Sequence, residues 1–345
     1  MKKKVCILSI DGGGIRGILP GMVVKAIEEK IQSLTKDKNK RISDYIDLFA
    51  GTSTGGILSC LYLTPGKNQR PKFTAAEAVQ LYLEYGDEIF HTSVWHKIKT
   101  AGGVRDEKYP ATELEERLEE YFGNTNLSAL LKPCVITAYN IRDRYAHFFR
   151  QQRAVINPDH DFPVKEVARA TSAAPTYFEC ARVKSLNNKY YPLIDGGVFA
   201  NNPSLCAYAE ARIMDFEKPD GSTVSHPGAK DMFVISLSTG TTKQKYLYSE
   251  AKDYGMVQWI KPLIDIMMSG NSETVTYQLK QIWDTLEEEH KADFVRLNPD
   301  RGEASEDMDD GSKENLKKLA AAGEAFAKAE ADQIEFIAKQ LIAFN

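Results

Sequence analysis

A serine framed by two glycines follows an apolar stretch early in this 345-residue chain. The apolar stretch covers residues 45–50, and the pentapeptide after it is Gly51-Thr52-Ser53-Thr54-Gly55. Such a sequence is typical of a sharp turn from a strand into a helix, which lifts one hydroxyl out of the backbone, and it also occurs in ordinary loops. The glycines matter because a side chain at either position would clash with the neighbouring strand or helix. The pattern therefore predicts a strand–turn–helix unit, with Gly51 and Gly55 shaping the turn and Ser53 as a candidate nucleophile.

A similar unit precedes this one. Residues 5–10 form a continuous apolar run, as expected for a strand buried on both faces, and a glycine-rich turn and a helical pattern follow. Repeated strand–turn–helix units indicate an α/β fold with a parallel sheet and helices on both faces. The same patterns predict strands near 46–50, at 133–139, around 148–149 and at 232–237, and a hairpin over 179–194. They predict helices at 74–89, 163–172, 203–216 and 312–344. Irregular or loop segments are expected at 91–108, 218–230 and 298–312.

Length and composition bound the number of domains. The chain is long enough for one large α/β domain or for two smaller ones. It has no internal repeat, no Ser- or Pro-rich linker and no break in composition. We therefore expect a single domain over residues 1–345, with a motif-bearing core at about 5–240 and a mostly helical part at about 245–345.

Charge and hydropathy limit the partners. The formal net charge is −4, so no overall basic field favours nucleic acid, and contact with an anionic membrane would have to be local. No stretch approaches the ~20 apolar residues of a membrane-spanning helix, and the apolar run after the basic start is too short for a signal peptide. The five cysteines are dispersed without a C-x-x-C pair, which is typical of reduced thiols. These features predict a cytoplasmic protein that meets membranes only peripherally and has no nucleic-acid partner.

The turn after the first strand reads Gly12-Gly13-Gly14-Ile15-Arg16-Gly17 and fits the G-x-G-x-x-G pattern. A glycine-rich turn at a helix N-terminus presents backbone N–H groups to an anion, which is either a pyrophosphate or the oxyanion of an acyl-transfer intermediate. A dinucleotide site also requires an acidic residue at the end of a second strand ~20 residues later, but Glu28 and Glu29 lie inside a helical pattern. The oxyanion interpretation is therefore favoured, and a merely structural turn stays open.

Under the oxyanion interpretation, the N–H groups of Gly12, Gly13 and Gly14 form the hole. Neighbouring parallel strands bring this turn and the Ser53 turn to the same edge of the sheet. Arg16 either adds positive charge near the same pocket or is a solvent-exposed arginine in a first helical turn.

A base for Ser53 is less obvious. None of the six histidines lies in a motif that would bring it to the turn, and each is interpreted as a surface or loop residue. Asp195, by contrast, ends a predicted strand and is followed by two glycines, which permit close approach of another backbone. A carboxylate is an inefficient base for a hydroxyl unless burial raises its pKa or the oxyanion hole carries most of the catalysis. A Ser53–Asp195 dyad is thus chemically possible, and a turn-forming aspartate is the alternative.

Four motifs follow one another along the chain, within about residues 5–240. They are Asp11-Gly12-Gly13-Gly14-Ile15-Arg16-Gly17, Gly51-Thr52-Ser53-Thr54-Gly55-Gly56, Arg169-Ala170-Thr171-Ser172-Ala173-Ala174-Pro175-Thr176-Tyr177-Phe178 and Asp195-Gly196-Gly197-Val198-Phe199-Ala200-Asn201-Asn202-Pro203. Together they resemble the patatin-like phospholipase family in sequence and in order. The resemblance implies a three-layer α/β/α fold with a mostly parallel central sheet, and hydrolysis of lipid acyl esters without a metal or another cofactor.

The same resemblance implies roles for single residues. Ser53 is the expected nucleophile, Asp195 its basic partner, and the glycine loop the oxyanion hole. We accordingly expect a phospholipase A-type enzyme that acts on membrane glycerophospholipids and touches the membrane surface transiently.

Several alternatives stay open at this point. The chain could be a non-catalytic lipid-binding module, or a nucleotide-binding protein that uses the glycine loop. The same hydrolase chemistry could also be gated by a cyclic nucleotide in anti-phage defence, as in bacterial relatives of the family, which would add a small nucleotide activator. Residues 245–270 are rich in aromatic residues and methionine, and are either a lid or membrane-touching element or a helix packed in the core; the core interpretation is favoured.

Overall fold

A mixed sheet forms the centre of the fold in the computed structural model, which describes residues 3–89, 111–240 and 245–345. The strands are, in chain order, β1 (Val5–Ile10), β2 (Leu48–Thr52), β3 (Cys134–Asn140), β4 (Tyr145–Arg150), β5 (Ala181–Lys184), β6 (Tyr190–Asp195), β7 (Asp215–Glu217), β8 (Thr223–Ser225), β9 (Met232–Leu237) and β10 (Phe294–Leu297). Among the described residues, eight strands join in the order β10-β9-β1-β2-β3-β6-β5, with β4 also on β3, and β7 pairs with β8. The irregular segment expected at 91–108 lies outside the described residues.

The sheet is parallel from β10 through β3, and each pairing that involves β4, β5 or β6 is antiparallel. Every residue of β1, β2 and β9 is buried. Continuous burial is expected where helices cover both faces of a parallel strand. The strands predicted from apolar runs at 5–10 and 232–237 are therefore confirmed, and the one predicted near 46–50 lies two residues later.

Helices cover both faces of the sheet. They are, in chain order, α1 (Ile18–Thr35), α2 (Thr54–Leu63), α3 (Ala75–Ile89), α4 (Thr112–Phe122), α5 (Gln151–Ile156), α6 (Val164–Thr171), α7 (Gly197–Ala200), α8 (Ser204–Ala211), α9 (Tyr248–Ala251), α10 (Met256–Asp284), α11 (Glu288–Lys291), α12 (Lys313–Ala329) and α13 (Ala331–Phe344). Cys6 and Leu8 of β1 belong to an apolar cluster with α1, α2 and α13, whereas Val5 and Ile7 belong to a second cluster with α8 and α10. The fold is a three-layer α/β/α arrangement, as predicted.

Some predicted elements differ from the structure. The helix expected at 203–216 is wrong in its second half, because α8 ends at Ala211 and β7 begins at Asp215. The helix expected at 312–344 is two helices separated by Glu330, whose backbone leaves the helical conformation. The sequence patterns miss β7, β8 and β10, because strands of three or four residues are too short to show a periodicity.

The core interpretation of residues 245–270 is also wrong. Much of this segment is the start of α10, where the side chains of Met256 and Val257 are 92% and 74% exposed. The helix instead reaches the core through its second half, with Val275, Leu279 and Trp283. No helix within the described ranges has the length and apolar character needed to cross a bilayer.

Candidate active site

The turn from β2 into α2 has the geometry of a nucleophile elbow. β2 ends at Thr52, α2 begins at Thr54, and Ser53 between them has φ 53° and ψ −123°. A non-glycine residue with positive φ is strained, and such strain persists only where the surroundings hold it. Here the backbone N–H of Ser53 donates a hydrogen bond of 2.8 Å to Thr171 Oγ1. The turn therefore presents the Ser53 side chain in a fixed orientation.

Both glycines of the elbow are required by close backbone contacts. A Cβ at Gly51 would collide with the backbone of Gly55 at the start of α2, and a Cβ at Gly55 would collide with the carbonyl group of Ile10 in β1. Backbone atoms cannot move aside as the tip of a flexible side chain can. The elbow therefore packs directly on the end of β1, from which the glycine loop departs.

Strand pairing on β3 brings Asp195 to the elbow. The end of β2 lies against the first half of β3, with Thr52 opposite Thr137, and the end of the antiparallel β6 lies against the second half, with Asp195 opposite Ala138. Because Thr137 and Ala138 are consecutive, the carboxyl ends of β2 and β6 meet head-on at the middle of β3. The residue that follows β2 is Ser53, so the hydroxyl and the carboxyl converge on one point.

Asp195 is a buried carboxyl with few compensating contacts. Burial raises its pKa to about 7, while a hydrogen bond from the Ser53 side chain and one from the Gly197 N–H, at 2.7 Å, act in the opposite direction. A Cβ at Gly196 would collide with Thr137, so the turn after Asp195 also needs a glycine. At neutral pH the carboxyl is populated in both protonation states, which suits a group that accepts and returns a proton.

The glycine loop differs in one respect from the expectation. The N–H of Gly12 donates to the Asn201 carbonyl at 3.1 Å, so this group is occupied within the protein and the prediction that it faces a substrate is wrong. The described residues provide no acceptor for the N–H of Gly13 or Gly14, and Gly14, with φ 58°, lines the pocket beside Ser53. Two of the three predicted donors thus stay available.

Two side chains orient the N–H groups of Gly13 and Gly14, because each bonds to the carbonyl of the same peptide unit. Thr239 Oγ1 donates to the Gly12 carbonyl at 2.8 Å, and Arg16 Nε donates to the Gly13 carbonyl at 3.2 Å. In a trans peptide the carbonyl and the following N–H point in opposite directions, so these bonds orient the N–H groups of Gly13 and Gly14. The sequence signal for Thr239 is a polar residue just after a buried strand at the carboxyl edge of the sheet.

Arg16 does not line the pocket beside Ser53. It faces an adjoining cavity that Asp11, Gly12 and Arg296 also line. Burial and the charge of Arg301 lower the pKa of its guanidinium. Its contact with the glycine loop is the carbonyl bond described above, so the structure gives Arg16 a place behind the loop rather than in the pocket.

An ion pair supports the start of the glycine loop. The carboxylate of Asp11 binds the guanidinium of Arg296 through two hydrogen bonds, of 2.8 and 2.6 Å, and accepts a third, of 2.7 Å, from Ser272 Oγ. Arg296 lies on β10 and Ser272 on α10. Sequence reasoning misses both residues, because nothing local in the chain indicates that they meet Asp11.

An apolar pocket opens beside Ser53 and Asp195. Its wall is formed mainly by side chains from α2, α3, α4 and α10 and from the loops around the site. The apolar lining residues are Ile15, Ile57, Leu81, Ile89, Leu114, Leu118, Ala174, Pro175, Phe178, Val198, Ile264, Met267, Met268 and Met308. Among the described lining residues, Arg117 and Asp195 carry the ionisable charge. Such a wall suits a hydrocarbon chain whose polar end reaches the Ser53 hydroxyl.

The histidines of the described ranges do not line this pocket. His147 departs from the expected surface position, since it is buried on β4 against the rings of Phe149, Phe162 and Tyr191. Burial lowers the pKa of His147 to about 4, so it is a neutral core residue near pH 7. Asp195 therefore has no described histidine as a competitor for the role of base.

Comparison with known proteins identifies similar sequences over most of the chain. A family model described as "Patatin-like phospholipase" matches residues 8–207. "Patatin-like protein 2" of Oryza sativa subsp. indica is 33% identical over 341 residues, covering 93% of this chain and 83% of that protein. "Patatin-like protein 2" of Arabidopsis thaliana is 34% identical, with 94% and 83% covered. "Probable inactive patatin-3-Kuras 1" of Solanum tuberosum is 30% identical, with 94% and 86% covered.

Among solved structures, VipD from Legionella pneumophila aligns with a TM-score of 0.35 and 11% identity, covering 94% of this chain and 67% of that one.

Proposed function

Because this chain belongs to the patatin-like phospholipase family, we propose that it is a serine lipid acyl hydrolase that cleaves acyl esters of membrane glycerophospholipids. One observation carries the proposal: the strained Ser53 and the buried Asp195 converge at the end of an apolar pocket. A turn-forming aspartate has no need of burial, and a structural serine has no need of a positive φ.

Acylation begins with the Ser53 hydroxyl. Its Oγ attacks the ester carbonyl carbon while Asp195, in its ionised form, takes the hydroxyl proton. The carbonyl oxygen becomes an oxyanion in the tetrahedral intermediate. When the intermediate collapses, the C–O bond to the lipid alcohol breaks and Asp195 returns the proton to the leaving oxygen. The products of this step are a lysophospholipid and an acyl-Ser53 ester.

The N–H groups of Gly13 and Gly14 are the proposed donors to the oxyanion. They are oriented before the substrate arrives, through the bonds that Thr239 and Arg16 make to the opposite ends of their peptide groups. Removal of one such donor typically costs about 3 kcal/mol of transition-state stabilisation. This hole is needed here because a carboxylate is a weaker base for a hydroxyl than an imidazole.

Deacylation repeats the same steps with water. Asp195 takes a proton from a water molecule, whose oxygen attacks the acyl carbonyl carbon. The second tetrahedral intermediate releases the fatty acid, and the proton returns from Asp195 to Ser53 Oγ. Atoms and electrons balance in acylation and deacylation as written, without a metal ion or a redox partner.

The test of this function is release of fatty acid from phosphatidylcholine. We expect Ser53→Ala to lower the rate by at least ~10³-fold with an unchanged thermal unfolding temperature, because no other group takes the place of the nucleophile. Ser59→Ala is the matched control: this buried serine lies on α2 and bonds to the Gly55 carbonyl, outside the pocket. Full activity in Ser53→Ala contradicts the proposal.

A non-catalytic lipid-binding protein is the rival function. One relative carries a name that describes it as inactive, so family membership alone does not establish catalysis. The two functions differ in the same experiment, because a lipid-binding module retains phosphatidylcholine without releasing fatty acid in either the wild type or Ser53→Ala.

A further inference from the structure

The first half of α10 turns an apolar stripe away from the protein. Met256, Ile260, Leu263 and Met267 recur at helical spacing, and their side chains are 92%, 47%, 49% and 45% exposed. We call these four residues the α10 stripe. A helix that packs on a protein normally buries such a stripe and exposes the polar face. In this half of α10 the stripe is instead left exposed.

A polar contact on another face of the helix faces the protein. Asp265 accepts a hydrogen bond of 2.8 Å from the Tyr246 hydroxyl and lines the cavity next to the glycine loop. The one charged side chain that the structure describes between Met256 and Met267 is thus directed inward. The α10 stripe itself is uncharged.

The stripe is continuous with the wall of the pocket. Met267 belongs to the stripe and also lines the pocket beside Ser53, and its neighbours Ile264 and Met268 line the same pocket. When a surface contacts the stripe, an apolar molecule therefore passes from that surface into the pocket along apolar side chains. This continuity distinguishes the stripe from exposed apolar residues elsewhere, such as Val155 and Ile156 on α5, which do not line the pocket.

The middle of α10 is fixed to both loops of the site. Asn271 Nδ2 donates to the Phe199 carbonyl at 2.7 Å, in the segment after Asp195, and Ser272 Oγ donates to Asp11 at 2.7 Å, before the glycine loop. These bonds attach the helix that carries the stripe to the two loops of the site. A surface that contacts the stripe therefore lies at a defined position relative to Ser53.

We propose that the α10 stripe is a docking surface for a lipid bilayer. The helix lies in the plane of the interface, with Ile260 and Leu263 among the acyl chains and the mouth of the pocket facing the membrane. The occupant is lipid because the stripe is uncharged and leads into an apolar pocket that, under the proposed function, receives an acyl chain. Binding of this kind depends on apolar area rather than on anionic headgroups, so added salt has little effect on it.

The experiment is co-sedimentation with phosphatidylcholine vesicles at low and high salt, in a Ser53→Ala background so that the vesicles stay intact. We expect Ile260→Gln with Leu263→Gln to weaken binding roughly tenfold or more, because each buried aliphatic side chain contributes about that factor. Glutamine is a good helix former, so the helix is retained. Ile156→Gln, on α5, removes an isoleucine that is more exposed (78%) than Ile260 or Leu263 and lies outside the pocket, and this variant is expected to bind as the parent does.

A second pair of substitutions guards against a folding defect. Met256→Gln with Val257→Gln changes the most exposed apolar residues at the start of α10, and the same loss of vesicle binding is expected. Undiminished vesicle binding in both double variants overturns the docking surface. So does a wild-type dimer in light scattering that either double variant dissociates, because the stripe would then be an interface between two copies of the chain.

Activity separates this inference from the proposed function on which it rests. In the Ser53 background, the Ile260→Gln and Leu263→Gln variant is expected to hydrolyse a soluble short-chain ester at the wild-type rate and to lose at least tenfold on vesicles. Stripe-dependent vesicle binding without any ester hydrolysis by the wild type contradicts the hydrolase and leaves the docking surface standing. Equal loss on both substrates overturns the docking surface.

Discussion

Two residues of this site are energetically unfavourable, one in its backbone conformation and the other in its burial. Ser53 has a positive φ, which costs of the order of 1–3 kcal/mol for a non-glycine residue. Asp195 is a carboxyl removed from water, and burial disfavours its charged form. Backbone strain and perturbed carboxyl pKa values are both concentrated at functional sites, because at other sites no function selects for them. At the residue scale this favours a Ser53–Asp195 dyad over a turn-forming aspartate beside an unrelated serine.

The hydroxyl of Thr239 gives a prediction at this scale. Thr239→Val keeps the shape of the side chain and removes the bond to the Gly12 carbonyl, so the Gly13 N–H is held less firmly. We expect kcat on a soluble ester to fall about fivefold while KM stays within threefold, since a lost hydrogen bond of ~1 kcal/mol acts on the transition state. Thr239→Ser, which keeps the hydroxyl, should restore most of kcat. A Thr239→Val enzyme with wild-type kcat contradicts the role given to this residue.

At the scale of secondary-structure elements, sequence patterns predict those elements that depend on residues close together in the chain. The units that end at Ser53 and at the glycine loop, and the hairpin that ends at Asp195, are visible because apolar runs, glycines and turn residues follow one another along the chain. The head-on meeting of β2 and β6 on β3 is not visible, because it depends on pairing between distant segments. For the same reason sequence reasoning misses Arg296 on β10 and favours the wrong one of two interpretations for residues 245–270.

The contact between α2 and β1 gives a prediction about stability. Gly55→Ala places a methyl group against the carbonyl of Ile10, so β1 and α2 must separate. We expect the free energy of unfolding in urea to fall by about 3 kcal/mol, at the upper end of the usual cost of overpacking. Gly270→Ala is the control: it lies in α10 with open space around its Cβ position, and alanine there should stabilise the protein by ~0.5–1 kcal/mol. Equal stability of Gly55→Ala and the wild type contradicts the packing described for the elbow.

At the scale of the whole molecule, the C-terminal part of the chain takes part in the site. β10 extends the parallel sheet beyond β9, and from it Arg296 reaches Asp11 before the glycine loop. α10 adds Ser272 to the same carboxylate and Met267 to the pocket. The four sequence motifs contain the proposed dyad and the glycine loop, whereas Arg296, Ser272 and Met267 come from the part after residue 240. Activation by a small nucleotide and a single domain over residues 1–345 stay predictions.

The central claim is that Asp195 activates Ser53, and the pH dependence of Ser53 modification tests it most directly. The measurement is the second-order rate of labelling by a fluorophosphonate between about pH 5 and pH 9, with the labelled peptide identified by mass spectrometry. Because burial raises the pKa of Asp195 to about 7, the carboxyl is protonated and inactive as a base below that pH and ionised above it.

The predicted result is a rate that rises about tenfold per pH unit below pH 7 and levels off above it, with the label on Ser53. In Asp195→Asn the rate at about pH 8 should fall at least ~10²-fold and lose this dependence. A label on another residue, or an Asp195→Asn protein that is labelled as fast as the wild type, would contradict the account.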